Sequence, residues 1–84
     1  MIQRLGFIGI VIEDPAHAPE INNILSRHSH IISGRMGIPR IHHNEAGVSV
    51  ITLIVQGTTD DIGALSGQLG NIGGVQVRSA LSSK

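Results

Sequence analysis

Two segments of this chain are apolar at both odd and even positions when they are read as β-strands. They are residues 4–13 (RLGFIGIVIE) and residues 47–57 (GVSVITLIVQG). A strand with one face in water alternates between apolar and polar residues, whereas a strand buried on both faces does not. Both segments are therefore predicted to be central strands of one sheet.

Two further segments show the half-polar alternation of edge strands. The strand over residues 30–39 (HIISGRMGIP) is predicted to end at Pro39, and residues 74–81 (GVQVRSAL) are predicted to form the last strand. Helical spacing of apolar residues falls between the strands, over residues 19–28 and 58–72. The order predicts an α+β fold. It is a single domain over residues 1–84, a ferredoxin-like βαββαβ sandwich with a four-stranded antiparallel sheet and two helices on one face.

The ends of the elements carry local signals. Pro19 leaves two alternatives for the first helix, which either begins near this residue or has a bent first turn. Thr58 or Thr59 is predicted to cap the second helix, since two aspartates follow in its first turn. The polar residues 40–46 (RIHHNEA) are predicted to form the tip of a hairpin between the second and third strands.

Two helices can cover only one face of the predicted sheet, which leaves a second apolar face on the central strands. Such a patch rarely stays in water, so the pattern predicts a homo-oligomer formed through the sheet faces, the edges or both. A modest exposed patch is the alternative. The interface candidates are Ile8, Ile10 and Ile12 on the first strand, with Gly63 and Gly67 on the second helix.

The segment 60–75 (DDIGALSGQLGNIGGV) holds five of the eleven glycines. It lacks the lysine of a phosphate-binding loop, and its glycines lie inside the helix rather than before it. At 100° per residue, Gly63, Gly67 and Gly70 follow one ridge of this helix. The ridge indicates a surface that a helix or a ligand approaches closely. The other interpretation is a weak helix that ends at a Gly70 cap.

Composition excludes several classes of function. The six basic residues balance the six acidic ones and are scattered, and one phenylalanine is the only aromatic residue, so the chain is not expected to bind nucleic acid. There is no cysteine for a disulfide or a thiolate site, which fits a cytoplasmic protein. The longest apolar run has eight residues, and no membrane span or signal peptide is expected.

Chemistry-bearing residues give weak signals. Four of the five histidines, His28, His30, His42 and His43, are candidate metal ligands, although the two pairs lie at separate places and surface histidines are the simpler interpretation. The serines and histidines form no nucleophile motif, so no enzyme is predicted. The sequence predicts the rim of a small-ligand site at the turn after the first strand and on the second strand. Its candidates are Glu13, Asp14, Gly34, Arg35 and Gly37.

Three segments resemble one known family. Residues 34–39 (GRMGIP), 47–70 (GVSVITLIVQGTTDDIGALSGQLG) and 74–81 (GVQVRSAL) are similar to small ACT-like proteins described as regulators of the iron-only hydrogenase system. The resemblance implies an ACT-like fold, related to the C-terminal domain of nickel-responsive regulators, and assembly into dimers or higher oligomers. The tip 40–46 and the segment 14–20 (DPAHAPE) differ from the family pattern, and no DNA-binding arm is present.

Three hypotheses follow for the function. The leading one is a non-enzymatic, homo-oligomeric regulatory module that binds a small effector at a subunit interface and acts through a hydrogenase-system protein. The second is a metal sensor or carrier that uses the histidines across an interface. The third is an accessory protein that docks on a hydrogenase maturation enzyme without any ligand. The sequence names no cofactor.

Overall fold

The structure is a computed structural model that describes residues 2–43 and 46–82, with the backbone alone at residues 42, 43 and 46. The elements follow the predicted βαββαβ order. They are β1 (Arg4–Ile12), a 3₁₀ turn (Pro15–His17), α1 (Ala18–Arg27), a second 3₁₀ turn (Ser29–Ile31), β2 (Ile32–His43), β3 (Ala46–Gly57), α2 (Thr59–Gly70) and β4 (Val75–Leu81).

The four strands form one antiparallel sheet in the order β2-β3-β1-β4. The doubly apolar strands β1 and β3 are central, as predicted, and they pair without a shift from Arg4↔Gly57 to Ile12↔Ser49. The half-polar strands β2 and β4 form the two edges. The predicted α+β, ferredoxin-like fold is confirmed.

The hydrophobic core lies between one face of the sheet and the two helices. On β1 the even-numbered residues point into it, and Ile8 and Ile10 are completely buried. Leu53 and Val55 of β3 are buried beside them, because Leu53 is paired with Ile8 and Val55 lies two residues further along the same face. The helices contribute the rest of this layer. Their buried residues are Ile21, Ile24 and Leu25 of α1, and Ile62, Leu65 and Leu69 of α2.

The assignment of Ile8, Ile10 and Ile12 to an intersubunit interface is therefore wrong. Their side chains are 0 to 4% exposed and pack inside the subunit, where a partner cannot reach them. A strand that is apolar on both faces does not reveal which face its own helices cover. The helices take the even-numbered face of β1.

The odd-numbered face of β1 is the one left uncovered. Phe7 on this face is 47% exposed and stands opposite Ile54 of β3, which is 44% exposed. Met36 and Ile38 of β2 continue the apolar surface beyond β3, and Met36 is 63% exposed. We call this surface, formed by Phe7, Val11, Met36, Ile38, Val50 and Ile54, the uncovered face. The sequence correctly predicts that one apolar face lacks a helix.

Both helices begin close to the predicted residues. Asp14 accepts a hydrogen bond from the Ala16 N–H (2.9 Å) and caps the 3₁₀ turn, after which α1 begins with Pro19 in its second position. A proline is tolerated there because that N–H has no helical acceptor. At α2, the Thr58 hydroxyl accepts from the Asp61 N–H (3.1 Å) and the Asp61 carboxylate accepts from the Thr58 N–H (3.2 Å), which completes a capping box.

Two boundaries differ from the sequence expectations. Gly70 does not act as a left-handed helix cap, because α2 is followed by Asn71 in right-handed geometry, and the positive φ of 78° belongs to Gly74 in the turn before β4. The second strand does not end at Pro39 but continues to His43. Pro39 lies on the edge strand within a register shift, where its missing N–H costs no regular ladder bond.

Candidate functional site

The predicted ligand rim is not assembled in the structure. Glu13 turns toward β4, where its carboxylate accepts from the Gln76 side-chain amide at 3.3 Å. Asp14 is occupied by the 3₁₀ turn that it caps. In the described residues, no hydrogen bond joins either carboxylate to Arg35, which instead bonds to Asn22, so the two halves of the predicted rim serve different parts of the molecule.

The other predicted rim residues lie along β2. Arg35 donates to the Asn22 side-chain carbonyl of α1 at 3.3 Å, which ties the edge strand to the helix layer. A Cβ added at Gly37 would meet Ile51 at 3.8 Å, and one at Gly34 would meet nothing within 4 Å. The space beside each of these glycines is therefore open, and neither position requires a glycine for close approach of a ligand. The ligand role of Glu13, Asp14, Gly34, Arg35 and Gly37 stays a prediction.

A different cavity lies where the β2–β3 ribbon extends past the end of β1. Its volume is about 560 Å³, which is within the range of small-molecule sites. The turn after β1 forms one wall through Ile12 and Pro15, and the ribbon forms the other. The ribbon residues that line it are Pro39, Arg40, Gly47, Val48 and Ser49.

Arg40 is the charged residue of this cavity, and its backbone is strained. Its φ of 60° lies in the left-handed region, which costs a residue with a side chain about 1–2 kcal/mol. The strain accompanies the register shift between Ile38 and Ile41 that inserts Pro39 and Arg40 into the strand. Residues kept in such conformations concentrate at binding sites. In the described part of the chain, no hydrogen bond or ion pair occupies the guanidinium.

A smaller depression of about 260 Å³ lies on the uncovered face and shares Val48 with the cavity. Val11, Ile41 and Val50 make it apolar, while Glu13 and Gln76 form its polar rim. The cavity and the depression meet at Val48, although Ile12 and Ser49 of the cavity belong to the helix-covered side of the sheet.

The histidines show no metal cluster in the described residues. The structure describes no group of three or more histidine, aspartate or glutamate side chains placed to hold an ion over residues 2–41 and 47–82. His28 Nε2 lies 3.3 Å from the Gln68 side-chain oxygen, and His30 is exposed in the second 3₁₀ turn. The side chains of His42 and His43 lie outside the described residues.

Gly63 and Gly67 lie on the exposed surface of α2. A Cβ added at either position would meet nothing within 4 Å. Glycine costs a helix about 1 kcal/mol relative to alanine, so the subunit gains nothing from them. Their role as interface residues stays a prediction.

We expect the double substitution Gly63→Ala and Gly67→Ala to raise the free energy of unfolding of the isolated subunit by about 1–2 kcal/mol. Urea denaturation at low protein concentration measures this change. Gly6→Ala is the matched control with the opposite sign, because a Cβ there would lie 3.0 Å from Leu81 and 3.2 Å from the Ala80 carbonyl. A loss of stability in the double variant would contradict the open surroundings of the ridge.

Comparison with known proteins places this chain in a family. The model of the TM1266-like family, described as "Iron-only hydrogenase system regulator, putative", matches residues 4–79. The chain belongs to this family. The solved structure of protein TM1266 from Thermotoga maritima is 32% identical, covers 95% of this chain and 98% of its own, and superimposes with a TM-score of 0.84. The resemblance to this family that the sequence indicates is confirmed.

More distant structures share the fold alone. The ACT domain of GTP pyrophosphokinase from Chlorobium tepidum is 22% identical over 100% of this chain and 91% of its own, with a TM-score of 0.67. CPII from Thiomonas intermedia, bound to ADP, AMP and acetate, is 14% identical over 100% and 94% of the two chains, with a TM-score of 0.57. A search of curated proteins gives no match. No helix over residues 2–43 and 46–82 is long and apolar enough to cross a membrane.

Proposed function

We propose that this member of the TM1266-like family is a non-enzymatic, homo-oligomeric regulatory module of an iron-only hydrogenase system. It binds a small effector next to a subunit interface and acts through another protein. The observation that carries the proposal is the cavity at Arg40, which borders the uncovered face through Val48. The family match, the ACT-domain neighbour and CPII, which is described as a nitrogen regulatory PII-like protein, support the regulatory role.

The cavity defines the chemistry of the effector. Its walls are mostly apolar, from Ile12, Pro15, Pro39 and Val48, and Arg40 supplies one positive charge. The effector is therefore a small organic anion with an apolar part. Arg40 is exposed, and in the described residues its guanidinium makes no hydrogen bond, so it is available to an anion that enters the cavity.

Assembly follows from the uncovered face. Phe7, Ile54 and Met36 form a contiguous apolar surface with the neighbouring side chains of β2 and β3. An 84-residue chain has a small core of its own, and covering this surface adds hydrophobic stabilisation of about 25 cal/mol per Å². An effector in the neighbouring cavity shifts assembly when it binds the assembled form more tightly than the separate subunit.

Native mass spectrometry of untagged protein purified from its source tests both parts. We expect a mass of two or more subunits together with a small retained anion. Arg40→Gln should lose the anion or bind it at least about tenfold more weakly, since a hydrogen bond to a charged group contributes about 1.5–3 kcal/mol. Arg27→Gln is the matched control at an exposed arginine away from the cavity.

The outcomes separate the parts of the proposal. A bare monomer contradicts both effector binding and assembly. An oligomer that retains its anion equally in wild type and Arg40→Gln contradicts the Arg40 cavity as the effector site. ADP, AMP and acetate, which CPII binds, serve as probes by calorimetry if the purified protein carries no small molecule.

A further inference from the structure

The outer edge of β4 pairs with no other strand in the described part of the chain. β4 pairs with β1 in unbroken register from Gly6↔Leu81 to Ile12↔Val75. The opposite edge, β2, contains Pro39 and two register shifts, which are devices that prevent an edge from pairing with another strand. β4 has neither proline nor bulge. It is the edge that is able to accept a further strand.

Two backbone hydrogen bonds at the ends of the β1–β4 ladder fix which backbone groups of β4 face outward. Glu13 N–H donates to the Gly74 carbonyl (3.0 Å), and Ser82 N–H donates to the Leu5 carbonyl (2.7 Å). Because hydrogen-bonding pairs alternate along an antiparallel ladder, the even-numbered residues of β4 point toward β1. Val77 and Ser79 therefore present their N–H and carbonyl groups to the open side. The Arg78 guanidinium donates to the Val77 carbonyl (2.9 Å), which agrees with this assignment.

The side chains of β4 select one register for a second strand. Gln76 and Arg78 lie on the uncovered face, opposite Val11 and Gly9 of β1, and Gln76 donates to Glu13. A two-fold axis at Val77 places Arg78 of one copy opposite Gln76 and beside Glu13 of the other. An axis at Arg78 would place the two guanidinium groups opposite each other, which is unfavourable.

We propose that two copies of this chain pair antiparallel through β4 about a two-fold axis at Val77. The pairing joins the two four-stranded sheets into one continuous sheet. Each Arg78 guanidinium leaves the Val77 carbonyl of its own copy and bonds to the Glu13 and Gln76 side chains of the other copy. The freed Val77 carbonyl then accepts a hydrogen bond from the backbone of the other copy. This inference rests on the proposed homo-oligomerisation and identifies one of its interfaces.

Cysteine cross-linking tests the register, because the chain has no natural cysteine. The variants Gln76→Cys and Arg78→Cys are made separately, mixed under reducing conditions and then oxidised. Opposite residues of a non-hydrogen-bonded pair have Cα atoms about 4.5 Å apart, which a disulfide can bridge. We expect the mixed disulfide as the main product and little cross-linking of either variant alone.

A charge exchange tests the same contact without cysteine. Arg78→Glu should weaken β4 pairing roughly tenfold or more by opposing Glu13 of the other copy, and the double variant Glu13→Arg, Arg78→Glu should restore it. Arg27→Glu makes the same change of charge at the end of α1 and should leave association unchanged.

Each result supports or overturns the pairing. Rapid cross-linking of the Arg78→Cys variant with itself would show that the two-fold axis lies at Arg78, which overturns the proposed register. An oligomer by native mass spectrometry that forms no mixed disulfide overturns β4 pairing and leaves the proposed homo-oligomer standing. A monomer in native mass spectrometry overturns both.

Discussion

Ile8→Ala is expected to destabilise the subunit by about 2–5 kcal/mol, whereas Phe7→Ala, one residue away on the same strand, should cost far less in the isolated subunit. Ile8 is fully buried against the helices, and its truncation leaves a cavity in the core. Phe7 points to the uncovered face and is 47% exposed. Since a small domain has about 5–15 kcal/mol in total, the Ile8 variant should unfold at a much lower urea concentration.

The same pair of variants separates folding from assembly. Urea denaturation followed by circular dichroism, repeated over a range of protein concentrations, reports the stability of the subunit and its dependence on association. Phe7→Ala should lower the part of the stability that increases with protein concentration. Ile8→Ala should lower the part that does not depend on concentration. Equal losses from both variants at low concentration would contradict the assignment of the two faces.

The sequence predicts the fold well because its strongest signal is global. Two doubly apolar strands between two half-polar ones allow few sheet orders, and the observed order places β1 and β3 in the centre. The helix starts are equally well specified, since Thr58 and Asp61 bond to each other within one turn and Pro19 fits a helix start because it lacks an N–H.

The sequence does not predict which face of the two central strands the helices cover. Ile8 and Phe7 are both apolar, and only the packing of the helices decides which one is buried. The interface candidates on β1 are wrong for this reason. The parity of a strand is known from the sequence, but the side on which the helices pack depends on the connections between elements.

The candidate site was missed because it depends on an irregularity. The proline at position 39 looks like the end of a strand, but it introduces a register shift, after which β2 continues with Arg40 in a left-handed conformation. A proline inside an apolar, half-alternating run is the one signal that indicates a bulge on an edge strand. The predicted rim residues Glu13 and Asp14 were instead used by Gln76 and by the 3₁₀ turn.

Ile54→Asp is expected to lower the number of subunits in the native assembly while the subunit stays folded. Ile54 lies at the centre of the uncovered face, paired with Phe7 on one side and with Gly34 on the other. It is 44% exposed, so an aspartate in the separate subunit stays in contact with water, and the lost burial and strand preference together cost about 1–3 kcal/mol. Within an interface the carboxylate would be buried without a partner, which costs several kcal/mol.

Such a cost corresponds to an association constant at least about a hundredfold lower. Light scattering and native mass spectrometry measure the subunit number, and circular dichroism confirms the fold. Asn23→Asp adds the same charge on the exposed surface of α1 and should leave the assembly intact. If Ile54→Asp retains the wild-type mass, no subunit covers this face, and the assembly must be held by the strand edges alone. Because the Arg40 cavity adjoins the uncovered face, loss of that interface should also weaken effector binding, which the β4 pairing by itself would not require.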